Sequence, residues 1–78
     1  MNKQTLNRAN QLIFARHYRQ YTQTELASKI NGLSQSQLSK YERGFGNLSD
    51  EKLKEIIEFL NFPFEFLDRK ITDYEFKQ

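Results

Sequence analysis

Between Ser34 and Gly44 the chain gathers side chains suited to hydrogen bonding with something outside itself. Gln35, Ser36, Ser39, Lys40 and Arg43 offer one amide, two hydroxyls and two cations. Stepped at about 100 degrees per residue, all five fall on one arc of a helix. No acid shares that arc; Leu38, Tyr41 and Glu42 are assigned to the other, buried side. Such an arc can meet anions and the edges of planar heterocycles. Gln fits an adenine edge, Arg or Lys a guanine edge, and Ser either. A solvated helix face can carry the same mixture, so the arc alone names no partner.

Catalysis and metal binding find no comparable constellation. His17 is the only histidine, cysteine is absent, and no acid stands at a ligand-like helical spacing from His17. His17 therefore reads as a surface residue or a minor phosphate contact. There is no nucleophile–base pair, no phosphate-cradling glycine loop and no paired acid in a plausible pocket. The expectation is a protein that is not an enzyme and needs no cofactor and no metal.

The arc must be held by its own helix, and the cap is explicit. Ser34 can accept from first-turn amides, and Gln37 stands three residues on to reach back. Leu38 and Tyr41 supply the buried stripe, and Gly44 can take the left-handed conformation that ends the helix. The preceding helix opens on the same device, Thr22 with Glu25, and buries Leu26, Ala27 and Ile30. Asn31-Gly32-Leu33 is the turn between them. Two short capped helices around a tight glycine-containing turn have the form of a helix-turn-helix.

Three further helices should frame this pair. The first runs from about Asn7 to Tyr18, with Leu6, Ala9, Leu12, Ala15 and Arg16 on one face. Ser49 caps a fourth, whose acids Asp50 and Glu51 suit the positive end of the dipole; Leu53, Ile56, Ile57 and Leu60 are its core face. Pro63 opens a short fifth, carrying Phe64, Phe66 and Leu67. No segment alternates as a strand would, and no repeat is present. The fold class expected is all-α, a five-helix domain over residues 1–69 with a polar tail at 70–78.

Seventy-eight residues suffice for one domain with a limited core. No signal peptide is evident and no apolar run could span a bilayer, so a cytoplasmic protein without a membrane partner is expected. The net charge of +2 hides an asymmetry. Residues 1–44 carry seven Lys or Arg against two acids; residues 45–78 carry five against eight. The N-terminal half can face an anion.

Gln23-Thr24-Glu25-Leu26-Ala27 followed by Leu33-Ser34-Gln35-Ser36-Gln37-Leu38-Ser39-Lys40-Tyr41-Glu42-Arg43-Gly44 resembles the phage-repressor and Cro-like (XRE) family. Leu53 through Leu60, Phe62, Phe64 and Leu67 resemble that family's fourth and fifth helices, so the likeness spans roughly Asn10 to Asp68. Three departures stand out. The turn Asn31-Gly32-Leu33 is one residue longer than usual, Gln20 replaces the glycine after the first helix, and Phe45-Gly46-Asn47 replaces an often basic loop.

The resemblance implies a lambda-repressor-like fold that binds double-stranded DNA. It makes Gln35, Ser36, Ser39, Lys40 and Arg43 groove contacts, and places Gln23 at a phosphate by its side chain and helix N-terminus. Arg19 and Arg43 become further backbone candidates. Arg16 and Glu42 form a structural ion pair, because a lone buried charge is costly and each implies the other. The function expected is sequence-specific transcription regulation: a repressor bound to a palindromic operator as a homodimer, joined through the C-terminal helix and tail. Two alternatives stay open. One is the DNA-binding part of a larger protein with a metallopeptidase-like second domain, since Leu60-Asn61-Phe62-Pro63-Phe64-Glu65-Phe66 resembles versions of this family that precede such a domain. The other is an antitoxin that binds a toxin and its own operator. The aromatic end formed by Phe59, Phe62, Phe64 and Phe66 reads as core, or as a partner surface.

Overall fold

The computed structural model describes residues 3–69, with side chains from residue 6 onward. The expected tail at 70–78 lies outside the described residues. Four α-helices follow one another: α1 Lys3–Tyr18, α2 Gln23–Lys29, α3 Gln35–Glu42 and α4 Asp50–Phe59. A short 3-10 helix, Phe64–Asp68, stands where a fifth α-helix was expected. Among the described residues there is no strand.

Local chemistry explains where the helices begin. Thr22 Oγ1 accepts from the Glu25 amide at 3.0 Å, and Glu25 Oε1 accepts from the Thr22 amide at 2.9 Å. Ser34 and Gln37 repeat this reciprocal pair at 3.1 and 2.9 Å. Ser49 accepts from the Lys52 amide at 3.1 Å. Each bond satisfies a first-turn amide that has no partner inside its helix.

The ends are equally specific. At Gln20 (φ 65), Gly44 (φ 88) and Asn61 (φ 64) the chain turns left-handed. Paired bonds close each of these ends: Tyr21 to Arg16 and Gln20 to His17, Phe45 to Lys40 and Gly44 to Tyr41, Phe62 to Ile57 and Asn61 to Glu58. These are Schellman endings, which cap the last carbonyls. Only Gly44 adopts the conformation without a Cβ penalty.

The core joins all of these elements. Ala9, Leu12 and Ala15 of α1 meet Leu26 and Ala27 of α2 with Ile30 just beyond it, Leu33, Leu38 and Tyr41, then Leu53, Ile56 and Ile57 of α4 with Leu60 just beyond it, and Phe66 and Leu67. Burying a leucine-sized side chain is worth roughly 1.5–3 kcal/mol. Burial of Phe66 and Leu67 is what makes the 3-10 segment part of the domain.

Two expectations for α1 need correction. The helix begins at Lys3 rather than near Asn7, and Leu6 is 46% exposed rather than on the buried face. Its neighbour Asn7 is held instead: Asn7 Nδ2 donates to the Leu67 and Arg69 carbonyls at 3.0 and 2.8 Å. Gln11 is buried instead, and its Nε2 donates to the Phe66 carbonyl at 2.9 Å. A polar side chain is tolerated there because its hydrogen bond survives burial.

Candidate nucleic-acid interface

The two helices of the motif are separated by residues 30–34. The Ile30 amide donates to the Ala27 carbonyl at 3.3 Å, and the Leu33 amide to the Ile30 carbonyl at 3.2 Å. Gly32 takes φ 78, and Leu33 is buried. This turn is braced from α4: Lys52 Nζ donates to the Asn31 carbonyl and lies 3.2 Å from Glu55 Oε1.

On α3 the five candidate side chains emerge together. Gln35, Ser36, Lys40 and Arg43 are exposed and Ser39 is half-buried, while Leu38 and Tyr41 face the core. Arg43 Nε approaches the Ser39 carbonyl at 3.4 Å, near the negative end of the helix.

Glu42 is buried, as expected, but it does not stand opposite the arc. It follows Gln35 by seven residues, about two turns, so it sits beneath Gln35 at the boundary of the two faces. That position lets it serve both sides. Arg16 Nε donates to Glu42 Oε2 at 2.7 Å and its second nitrogen to Oε1 at 2.8 Å, a two-pronged pair. The third guanidinium nitrogen donates to the Tyr21 carbonyl at 2.9 Å. Arg16 and Glu42 are 8% and 7% exposed, so this pair is desolvated and every strong donor direction counts.

Gln23 continues the chain outward. Its Nε2 donates to Glu42 Oε1 at 3.0 Å, and its Oε1 accepts from Gln35 Nε2 at 2.8 Å. A run of hydrogen bonds therefore links buried Arg16 through Glu42 and Gln23 to Gln35, the first residue of α3. The charge pair was legible in the sequence; the amide bridge was not, because nothing in residue spacing says which atoms of Gln23 meet which neighbours.

Arg19 is not brought into this cluster. Its Nε donates to the Leu60 carbonyl at 2.7 Å, and its guanidinium lies 4.8 Å from the Phe62 ring centre and 5.1 Å from that of Tyr18. A cation there satisfies carbonyls at the end of α4. Arg8, which the basic count also included, is similarly occupied. It grips Asp68 with two nitrogens at 2.8 and 3.1 Å, reaches Asp50 at 3.0 Å, and lies 5.4 Å from the Phe64 ring centre. These carboxylates, Asp68 first, hold the Arg8 guanidinium above its ordinary pKa despite partial burial. Sequence reasoning missed both roles, since each partner lies far along the chain.

Four of the N-terminal cations with described side chains have no carboxylate partner among the described residues: Arg19, Lys29, Lys40 and Arg43. Arg19 follows α1, and the other three belong to α2, α3 or the cap that ends α3. His17 is exposed on α1. Among the described residues, no three His, Cys, Asp or Glu side chains gather as a metal site requires. No helix among them is long and apolar enough to cross a membrane.

Two short helices, a braced turn and an exposed polar arc on the second helix define a helix-turn-helix domain. A family model described as helix-turn-helix, HTH_3, matches residues 16–67. The chain belongs to that family, the Cro/C1-type or XRE helix-turn-helix domains, which bind DNA. No curated protein and no solved structure matches the chain.

Proposed function

We propose that this chain is a cytoplasmic transcriptional regulator that reads a palindromic operator as a dimer and represses by occupying promoter DNA. The observation that carries this reading is the linkage Arg16–Glu42–Gln23–Gln35. It sets the first residue of α3 rigidly against the start of α2. A base-reading side chain needs such support, because a loosely held amide discriminates poorly.

In this reading α3 lies in the major groove. Gln35, Ser36 and Lys40 reach base edges from its early and middle turns, while Ser39 and Arg43 serve its wall. Gln23 and the amides of the first turn of α2 meet a phosphate. Dimer contacts would use the apolar surface left at the C-terminal side. Phe66 and Leu67 are buried in the protein's own core, so the 3-10 segment offers chiefly Phe64, which is partly buried. No chemistry on DNA is part of this function.

Selection from a random duplex library at fixed salt tests the proposal. A dimeric regulator should enrich an inverted repeat with half-sites about one helical turn apart. Its affinity should fall steeply with salt, as phosphate binding requires. Enrichment of no sequence, with weak binding to all duplexes, would remove the claim of specificity.

A further inference from the structure

Phe45 is the residue that this reading leaves unexplained. It is 62% exposed, immediately beyond the C-terminus of α3. Other large exposed rings, Phe14, Tyr18 and Phe59, each have an aromatic neighbour within 6.0 Å; Phe45 has none among the described residues. A lone exposed aromatic is common enough on any surface. What distinguishes this one is how firmly it is held, and where.

The backbone on both sides of Phe45 is left-handed, φ 88 at Gly44 and φ 76 at Gly46. The Phe45 amide donates to the Lys40 carbonyl at 2.8 Å, completing the Schellman ending. Gly46 then passes so close to α3 that a Cβ there would lie 3.2 Å from the Lys40 Cβ. The loop is thus folded back against the helix beside Lys40, one of the five residues of the exposed arc. Phe45 thus follows the arc directly along the chain, on a backbone bonded to Lys40.

We infer that Phe45 packs against the deoxyribose edge of duplex DNA at the wall of the groove that α3 enters. The inference rests on the DNA-binding reading above. A helix lying in the major groove reaches base edges from its N-terminal part. The loop beyond its C-terminus therefore meets the backbone, where the sugars are the apolar element between phosphates. A phenyl ring there excludes water from a sugar and adds affinity without adding charge. The loop has no cation of its own: Phe45-Gly46-Asn47-Leu48 carries neither Lys nor Arg. Contact there is accordingly insensitive to salt and to base identity.

The test compares wild type, Phe45→Ala and Phe45→Lys on the selected operator across a salt series. The fold should survive both changes, since the capping bond uses the backbone of residue 45; equal melting curves verify this. Phe45→Ala should bind roughly tenfold more weakly at every salt concentration, with an unchanged slope of log affinity against log salt. Phe45→Lys should steepen that slope by about one phosphate's worth. Replacing operator thymines by uracil, which removes the only apolar group of the major-groove floor, should leave the Phe45→Ala deficit unchanged. Wild-type affinity in Phe45→Ala overturns the inference, as does an unchanged slope in Phe45→Lys. A deficit that vanishes on uracil DNA also overturns it, by assigning the ring to a base. Failure of the wild type itself to bind duplex DNA would instead reject the functional reading beneath it.

Discussion

The side-chain amide of Gln35 donates to the side-chain oxygen of Gln23 at 2.8 Å, so the opening residues of α3 and α2 are bonded to each other. The bond leaves the Gln35 oxygen as its outward acceptor and orients the amide plane. Its other end is anchored by the Glu42 carboxylate, which accepts from Gln23. Base reading and backbone contact, assigned to two different residues, are therefore mechanically coupled.

Gln35→Ala should cost about 1–3 kcal/mol on the preferred operator and relax preference at one base position. Gln23→Ala should weaken binding to all sequences, since phosphates carry no base identity, and should also loosen Gln35. The double variant should then lose less than the two single losses combined, by about 0.5–3 kcal/mol. Binding of all four proteins to a panel of single-base operator variants measures this. Strictly additive losses would mean that the amide bond transmits nothing.

Arg16→Ala and Glu42→Ala should each destabilise the fold by about 3–5 kcal/mol, because either change leaves a buried charge without its partner. That is a large share of the stability of any small domain. Arg16→Lys should recover only part of the loss, since an ammonium cannot reproduce a two-pronged contact to Glu42 plus a bond to the Tyr21 carbonyl. Urea melts of the three variants decide it. Variants that unfold together with wild type would show the pair to be energetically idle.

Gln20→Gly should stabilise the protein by about 0.5–1 kcal/mol. Gln20 sits at φ 65, where a Cβ costs roughly 1–2 kcal/mol, and the extra freedom of glycine in the unfolded chain offsets part of the gain. Asn61→Gly should gain less, since asparagine tolerates that conformation. Thermal melts rank the two. A destabilised Gln20→Gly would mean that the Gln side chain supports the end of α1.

Glu25 ties stability to acid. Its carboxyl is held below its ordinary pKa chiefly by the Thr22 backbone amide, then by the Thr22 side chain, with a smaller contribution from Lys29. A lowered folded-state pKa means that the unfolded chain binds the proton more readily. The contribution is therefore present above the ordinary carboxyl pKa and is lost as pH falls through the folded value. Between about pH 5 and pH 3, wild type should lose stability faster than Glu25→Gln, which keeps the capping geometry without the titration. Parallel acid curves for the two proteins would rule out this linkage.

The caps and the arc were written into the sequence because both are local. Thr22 with Glu25, Ser34 with Gln37, and Ser49 act across three residues of one chain, and a helix forces that spacing. The exposed set Gln35, Ser36, Ser39, Lys40 and Arg43 follows from the same periodicity. The Arg16–Glu42 pair was accessible through the family resemblance rather than through periodicity, which sets Glu42 beneath Gln35 at the edge of the arc. Tertiary structure alone decided the rest. Arg8 reaches Asp68 across 60 residues, Gln11 reaches Phe66 across 55, and Arg19 reaches Leu60 across 41. These contacts gave two arginines partners within the fold and put a glutamine in the core. The physical reason is that periodicity fixes which way a side chain points, whereas burial and partnership depend on what distant segment arrives to cover it. Leu6 and Gln11 show both outcomes on one helix: the apolar residue was left in solvent, and the polar one was enclosed because the Phe66 carbonyl came to meet it.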